Sequence, residues 1–152
     1  MATLSSARVR YCVIGGQAVN AYVEPVVSLD LDIAVTAEDL TPAETLLAKD
    51  FRVERFPHSV NVSAPGSDLR VQLHTDPRYS AFVGRASPRD VLGLALPVAS
   101  LEDVLQGKVW AVQDPARRPS RRQKDLADIS RLLEAHPELR SRVPDTVLSR
   151  LF

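Results

Sequence analysis

A short apolar run, Val13-Ile14, meets the glycine pair Gly15-Gly16, and after thirteen intervening residues the chain reads Asp30-Leu31-Asp32-Ile33. No other stretch constrains the fold as much. Arg8 to Ile14, with its continuous apolar end, predicts a strand that the glycine pair breaks. Gln17 to Tyr22 then predicts a short helix closed before Pro25, and Ser28 to Val35 a second strand. Side chains alternate across a strand, so Asp30 and Asp32 share one face while Leu29, Leu31 and Ile33 share the other. Two carboxylates on one strand face make a poor core and a good site for a divalent cation.

The remaining elements follow from turn and cap chemistry. Thr41-Pro42-Ala43-Glu44 has the form of a capping box and predicts a helix to about Lys49, with Ala43, Leu46 and Leu47 inward. Phe51 to Phe56 reads as a strand. Val60 to Val62 and Leu69 to His74 alternate on either side of Ala64-Pro65-Gly66-Ser67, a hairpin pattern. Pro77 to Gly84 reads as a helical turn or loop, and Val91 to Val98, which carries Gly93 and Pro97, as a short edge strand or hairpin. Ser100 opens a helix through about Val112. After the Pro- and Arg-rich loop Gln113 to Pro119, Ser120 with Gln123 forms a second capping box for a helix that His136-Pro137 ends. A last short helix is expected around Thr146 to Leu151. The fold class is α+β: a small mixed β-sheet with helices packed mainly on one face, and C-terminal helices. One domain over 1–152 is expected, with a sheet core in 1–98 and a helical part in 99–152.

Composition excludes several classes. Apolar content of 45% and charged content of 25% are globular values. No apolar run reaches the roughly 18 residues of a membrane span. Met1 to Arg10 lacks a secretory pattern, and the single Cys12 lies in an apolar strand, which together predict a cytoplasmic chain. The net charge of zero argues against a general nucleic-acid coat. Arg117, Arg118, Arg121, Arg122 and Lys124 nevertheless cluster, either to hold phosphates or an acidic acceptor, or as a solvated basic loop.

The glycine pair and the D-x-D strand resemble the signature of the nucleotidyltransferase (polymerase-β-like) superfamily. Leu101-Glu102-Asp103 leading to Lys108, and Lys124-Asp125-Leu126-Ala127-Asp128-Ile129, resemble its AbiEii-like toxin and defence branch. The resemblance implies the nucleotidyltransferase fold and Mg²⁺-dependent transfer of a nucleoside monophosphate from a nucleoside triphosphate to an acceptor hydroxyl. It makes Asp30 and Asp32 the metal ligands, and Asp30, Asp32 and Lys108 the catalytic set. Gly15, Gly16, Ser28, Lys108, Asp125 and Asp128 become nucleotide-binding residues. The chemistry agrees. Carboxylate-held Mg²⁺ neutralises a triphosphate, and a glycine pair opening a helix admits backbone N–H groups to phosphates.

Each assignment has a plainer counterpart. Asp30 and Asp32 suit a solvated strand, and Ser28 an ordinary exposed serine. Lys108 interrupts the inward stripe Leu101, Val104, Leu105, Val112, where it can snorkel to water. Asp125 and Asp128 can form i,i+4 pairs with Arg121 and Lys124, worth about 0.2–0.5 kcal/mol each. The third strand departs from the family pattern, which places a third carboxylate there. Arg70, Gln72 and His74 share a face, and Gln72 stands where that carboxylate is expected. An amide is neither a general base nor a strong Mg²⁺ ligand; His74 could act as base. Val26-Val27 replace the arginine that often precedes the D-x-D strand. His58 and His136 have no metal-ligand spacing to each other or to Cys12. Three functions follow: an enzyme acting on an RNA, protein or small-molecule acceptor; a catalytically impaired nucleotide- or partner-binding module of a toxin–antitoxin system, its partner an antitoxin or a chain that completes the site; or a purely structural protein.

Overall fold

The computed structural model describes residues 1–6, 8–57 and 59–151, so His58 lies outside the described residues. The chain runs α1 (Ala2–Ser6), β1 (Tyr11–Ile14), α2 (Gly15–Asn20), β2 (Asp30–Val35), α3 (Ala37–Leu47), β3 (Arg52–Phe56), β4 (Ser59–Ser63) and β5 (Arg70–His74). A 3-10 turn (Pro77–Tyr79) leads to α4 (Ser80–Arg85) and to the hairpin of β6 (Ser87–Val91) and β7 (Leu94–Val98). The chain ends with α5 (Leu101–Gln113), α6 (Pro119–Ala135), a 3-10 segment (Pro137–Arg142) and α7 (Asp145–Leu148).

The seven strands form one mixed sheet in the order β3-β4-β5-β2-β1-β7-β6. β2 lies in the middle, antiparallel to β1 and parallel to β5, with Asp30 opposite Arg70 and Asp32 opposite Gln72. Alternation along β2 sends Leu31 and Ile33 to the back of the sheet, where Leu4 of α1 and Leu47 of α3 border the same apolar groove. The carboxylate face is covered by α2 and α4, which contact β1 and β2, and by α5 and α6, which pack on α2 and on each other. Val13, Ile33, Leu73 and Ile129 are fully excluded from water, each such burial stabilising the fold by about 1.5–3 kcal/mol. This is the α+β architecture the sequence implies.

Both expected capping boxes give way to other starts. α3 begins at Ala37 after the extended residue Thr36, which leaves Thr41 and Pro42 inside the helix. Its first turn carries Glu38 and Asp39, whose carboxylates complement the helix dipole and bind Arg10 at 2.7 and 2.9 Å. Those contacts extend the helix backward despite the missing N–H of Pro42. α6 begins at Pro119 after Arg118, so Ser120 falls in the first turn and caps nothing. Proline at the first helical position needs no N–H partner, and its fixed φ sets the start. Ser100, by contrast, caps α5 as expected, its Oγ accepting from the Asp103 N–H at 3.2 Å.

Val91 to Val98 is a hairpin turn and strand rather than one edge strand. β6 is the edge, and the turn passes through Leu92 and Gly93, both at positive φ. Pro88 faces Pro97 across the hairpin, a pair that neither residue could hydrogen-bond and that the ladder tolerates only at a non-bonded position. The first strand, the D-x-D strand and the last helix are each shorter than expected.

Candidate functional site

The carboxylate of Asp32 lies beneath Gly15, the residue on which β1 turns into α2. Gly15 has φ +69°, and a Cβ on it would lie 2.6 Å from Asp32 Oδ2. Backbone conformation and space both demand glycine here. Asp32 Oδ1 lies 2.9 Å from His74 Nε2 on β5. Gln72, directly across from Asp32, donates from Nε2 to Ser59 Oγ at 3.1 Å. Burial pushes the Asp32 carboxyl up. The hydrogen bond and charge of His74, with the positive charges of Lys108 and Arg117, outweigh that and hold it below its ordinary value. Asp32 is therefore ionised throughout the neutral range.

Asp30, two residues earlier on the same face, is engaged differently. Arg70 Nε lies 2.9 Å from one oxygen and Arg121 Nη1 3.5 Å from the other. The two aspartates thus share a face but not an environment.

Opposite them, a cleft of about 90 Å³ is walled by Lys108, Arg117, Arg121 and Asp125 from the helical side, and by Gly15, Asp32, Gln72 and His74 from the sheet side. Tyr79 and Phe82 close one end, packed edge-to-face at 5.4 Å. Lys108 does not snorkel. Its ammonium is buried and lies 3.1 Å from Asp125 Oδ1 and 2.8 Å from Asp128 Oδ2. Arg117 grips Asp125 with two hydrogen bonds of 2.8 and 3.1 Å, and Arg131 reaches Asp128 at 2.9 Å. Three cations and two carboxylates thus form one chain of charge, which binds α5 to α6 where an unpaired ion would be costly. Arg131 also donates to Asn20 Oδ1 and to the Glu24 carbonyl, fastening the loop between α2 and β2.

The i,i+4 pairs that local spacing offers are not the ones made. Asp125 and Asp128 turn inward to Lys108, and Arg121 reaches Asp30 instead. Of the residues singled out by the resemblance, Gly15, Asp32, Lys108 and Asp125 meet at the cleft. Asp30 and Gly16 lie at its edge, and Asp128 behind Lys108. Ser28 is elsewhere. Its hydroxyl turns to the Asp30 backbone, and the residue lines a separate shallow cleft with Gln17, Asn20, Val26 and Val27. Arg70 and Arg131 carry contacts that no motif pointed to, although strand alternation already put Arg70 on the aspartate face. His136 contacts the Tyr22 carbonyl at 3.1 Å, remote from Asp32. Burial, with Asp103 nearby, pushes the Cys12 thiol up to about 12, as for an inert core residue.

Among the described residues no group of three or more His, Cys, Asp or Glu side chains could hold a metal ion. A donor set of two carboxylates still suits Mg²⁺, which commonly takes one or two carboxylates and completes its shell with water and substrate phosphates. Asp32 fits that role: it is ionised, and its Oδ2 faces the space a Gly15 Cβ would fill. Asp30, by contrast, has both carboxylate oxygens engaged, one by Arg70 and the other by Arg121.

Residues 13–151 match the family model described as "Nucleotidyl transferase AbiEii toxin, Type IV TA system". No curated protein matches the chain. Among solved structures, ANT(2″)-Ia in complex with adenylyl-2″-tobramycin aligns with TM-score 0.65 and 16% identity, over 99% of this chain and 94% of that one. The lincosamide antibiotic adenylyltransferase LnuA, lincomycin-bound, aligns with TM-score 0.56 and 14% identity over 85% and 90%. An antigenic nucleotidyltransferase-like protein from Paracoccidioides brasiliensis aligns with TM-score 0.58 and 22% identity over 97% and 81%. At these identities the likeness is one of fold.

Proposed function

This chain belongs to the AbiEii nucleotidyl transferase toxin family, and from that membership we propose that it transfers a nucleoside monophosphate from a Mg²⁺-bound nucleoside triphosphate to an acceptor hydroxyl. The observation that carries this reading is the Asp32 carboxylate set beneath Gly15, facing the Lys108–Asp125–Arg117 charge chain across a cleft. The cleft is smaller than the few hundred Å³ that enclose a whole ligand, so it suits the phosphate end of a nucleotide. Asp30 and Asp32 would hold Mg²⁺, which when bound neutralises phosphate oxygens. Gly15 and Gly16 leave the triphosphate room beside the backbone. Lys108 and Arg117 bring positive charge to the cleft wall, and Asp125 and Asp128 fix where Lys108 points. Residues 1–98 and 99–152 act as one unit, because the sheet part and the helical part each supply one wall. The acceptor is an RNA end, a protein side chain or a small molecule, in the cytoplasm where triphosphates are available.

Gln72 and the pairing of Asp30 favour a second reading. With an amide opposite Asp32, and with Arg70 and Arg121 on Asp30, the chain binds nucleotide without turnover and works through an antitoxin or a partner chain that completes the site. Incubating the chain with Mg²⁺, each of four α-labelled triphosphates, and RNA, protein and small-molecule fractions separates the two. Label transfer abolished by Asp32→Ala supports the enzyme. Mg²⁺-dependent nucleotide binding by calorimetry without any transfer supports the module, and absence of binding rejects both. No helix among the described residues is long and apolar enough to cross a membrane.

A further inference from the structure

The cations around the cleft are almost all committed to carboxylates. Lys108 is tied to Asp125 and Asp128, Arg117 to Asp125, Arg131 to Asp128, and Arg70 and Arg121 to Asp30. Lys124 differs. It is exposed, has no ion-pair partner among the described residues, and places its ammonium 3.9 Å from where a Gly16 Cβ would stand. Helical periodicity puts it about one turn after Arg121, on the stripe of α6 that faces the glycine pair and Asp30. An ammonium without a carboxylate, poised over a backbone segment that has no side chain, is arranged for an anion arriving from solution.

We infer that Lys124, rather than the buried Lys108, is the residue that grips the terminal phosphates of the bound triphosphate. This rests on the nucleotide-binding reading of the same cleft. Lys108 would have to leave two buried carboxylates to make that contact; Lys124 gives up only water. A lysine is well suited, since three rotatable donors on a flexible stem can follow a phosphate as it becomes pyrophosphate. The aspartate face then meets the α-phosphate side of the nucleotide, and Lys124 reads the distal end. Discrimination between triphosphate and monophosphate is the expected consequence.

The test is titration calorimetry on the full chain with Mg²⁺, using each of the four nucleoside triphosphates and the matching monophosphates. The Lys124→Ala variant is expected to bind triphosphate about tenfold to a hundredfold more weakly, the range of a lost charge-assisted hydrogen bond. Its monophosphate affinity and melting temperature should stay unchanged, and Lys124→Arg should recover most of the triphosphate affinity. Equal weakening for both nucleotides, or none for either, overturns the inference while leaving the cleft as a nucleotide site. If the wild-type chain binds no triphosphate, the cleft reading and this inference fall together.

Discussion

Gly15 and Asp32 approach so closely that a single added methyl group on the glycine would lie 2.6 Å from the carboxylate oxygen. The contact joins the turn after β1 to the centre of β2. Gly15→Ala therefore combines a left-handed backbone, costing about 1–2 kcal/mol for an L residue, with displacement of Asp32. The melting temperature should fall by about 2–8 °C at roughly 2–4 °C per kcal/mol for a chain of this size. Mg²⁺-dependent nucleotide binding should disappear at temperatures where the variant is still folded. A variant that melts early but binds normally would show that Asp32 does not need its place beneath the glycine. Gly16→Ala, whose Cβ would meet Lys124 only at 3.9 Å, serves as the control for melting temperature alone.

The buried charge chain makes a different prediction. Lys108→Met leaves Asp125 and Asp128 facing an apolar thioether, held only by Arg117 and Arg131. Removing one partner from a buried pair costs about 3–5 kcal/mol, and the two remaining arginines bring the expectation to the lower end, about 3 kcal/mol. Urea unfolding of wild type and variant measures it. A loss under about 1 kcal/mol would mean that Lys108 contributes little to the joint between α5 and α6. Any fall in transfer seen with Lys108→Met has to be read at a temperature where both proteins are folded.

Acid stability should report the clasp between β1 and α3. The Arg10 backbone N–H donates to Asp39 at 2.9 Å, and together with Thr36 and the Arg10 guanidinium it holds the Asp39 carboxyl below its ordinary value of 3.8. A depressed carboxyl contributes stability that is fully present above its unfolded value and is lost as pH falls through the folded one. Neutral conditions should thus show no dependence from Asp39, and the decline should begin below about pH 5. Asp39→Asn is expected to lower stability at pH 7 and to flatten the pH profile below 5. An unchanged acid slope in that variant would rule out the clasp as a contributor.

How much of this was legible follows from range. The glycine pair, the D-x-D strand and the alternation of β5 are local patterns, and strand periodicity alone put Asp30, Asp32, Arg70, Gln72 and His74 on their faces. Which carboxylate each cation takes was not legible. Arg121 has Asp125 four residues away on its own helix, yet it reaches Asp30 on a different element. Lys108 read as an interruption of an apolar stripe, and only the docking of α6 against α5 gives it two aspartates. The capping boxes misled for a related reason. Thr41 satisfies a local pattern, but Arg10, some thirty residues earlier, holds the acidic turn that starts the helix sooner. Ser28 shows the limit of parity, since it lies before β2 begins and its side chain follows the loop rather than the strand.

Gln72 offers the sharpest test of whether the cleft is one substitution away from a three-carboxylate site. It faces Asp32 across β2 and β5, and its amide donates to Ser59 on β4. Gln72→Glu removes that donor and sets a second negative charge beside Asp32, within a face that already carries Asp30. Without Mg²⁺ the like charges should repel and lower the melting temperature. With Mg²⁺ the added carboxylate becomes a ligand, so the metal-dependent rise in melting temperature should exceed that of wild type, growing with the logarithm of metal concentration over its dissociation constant. If label transfer rises in parallel, the amide is what limits turnover. Should Mg²⁺ stabilise the variant no more than the wild type, Gln72 does not stand at a metal position, and the family's third carboxylate has no counterpart at this register.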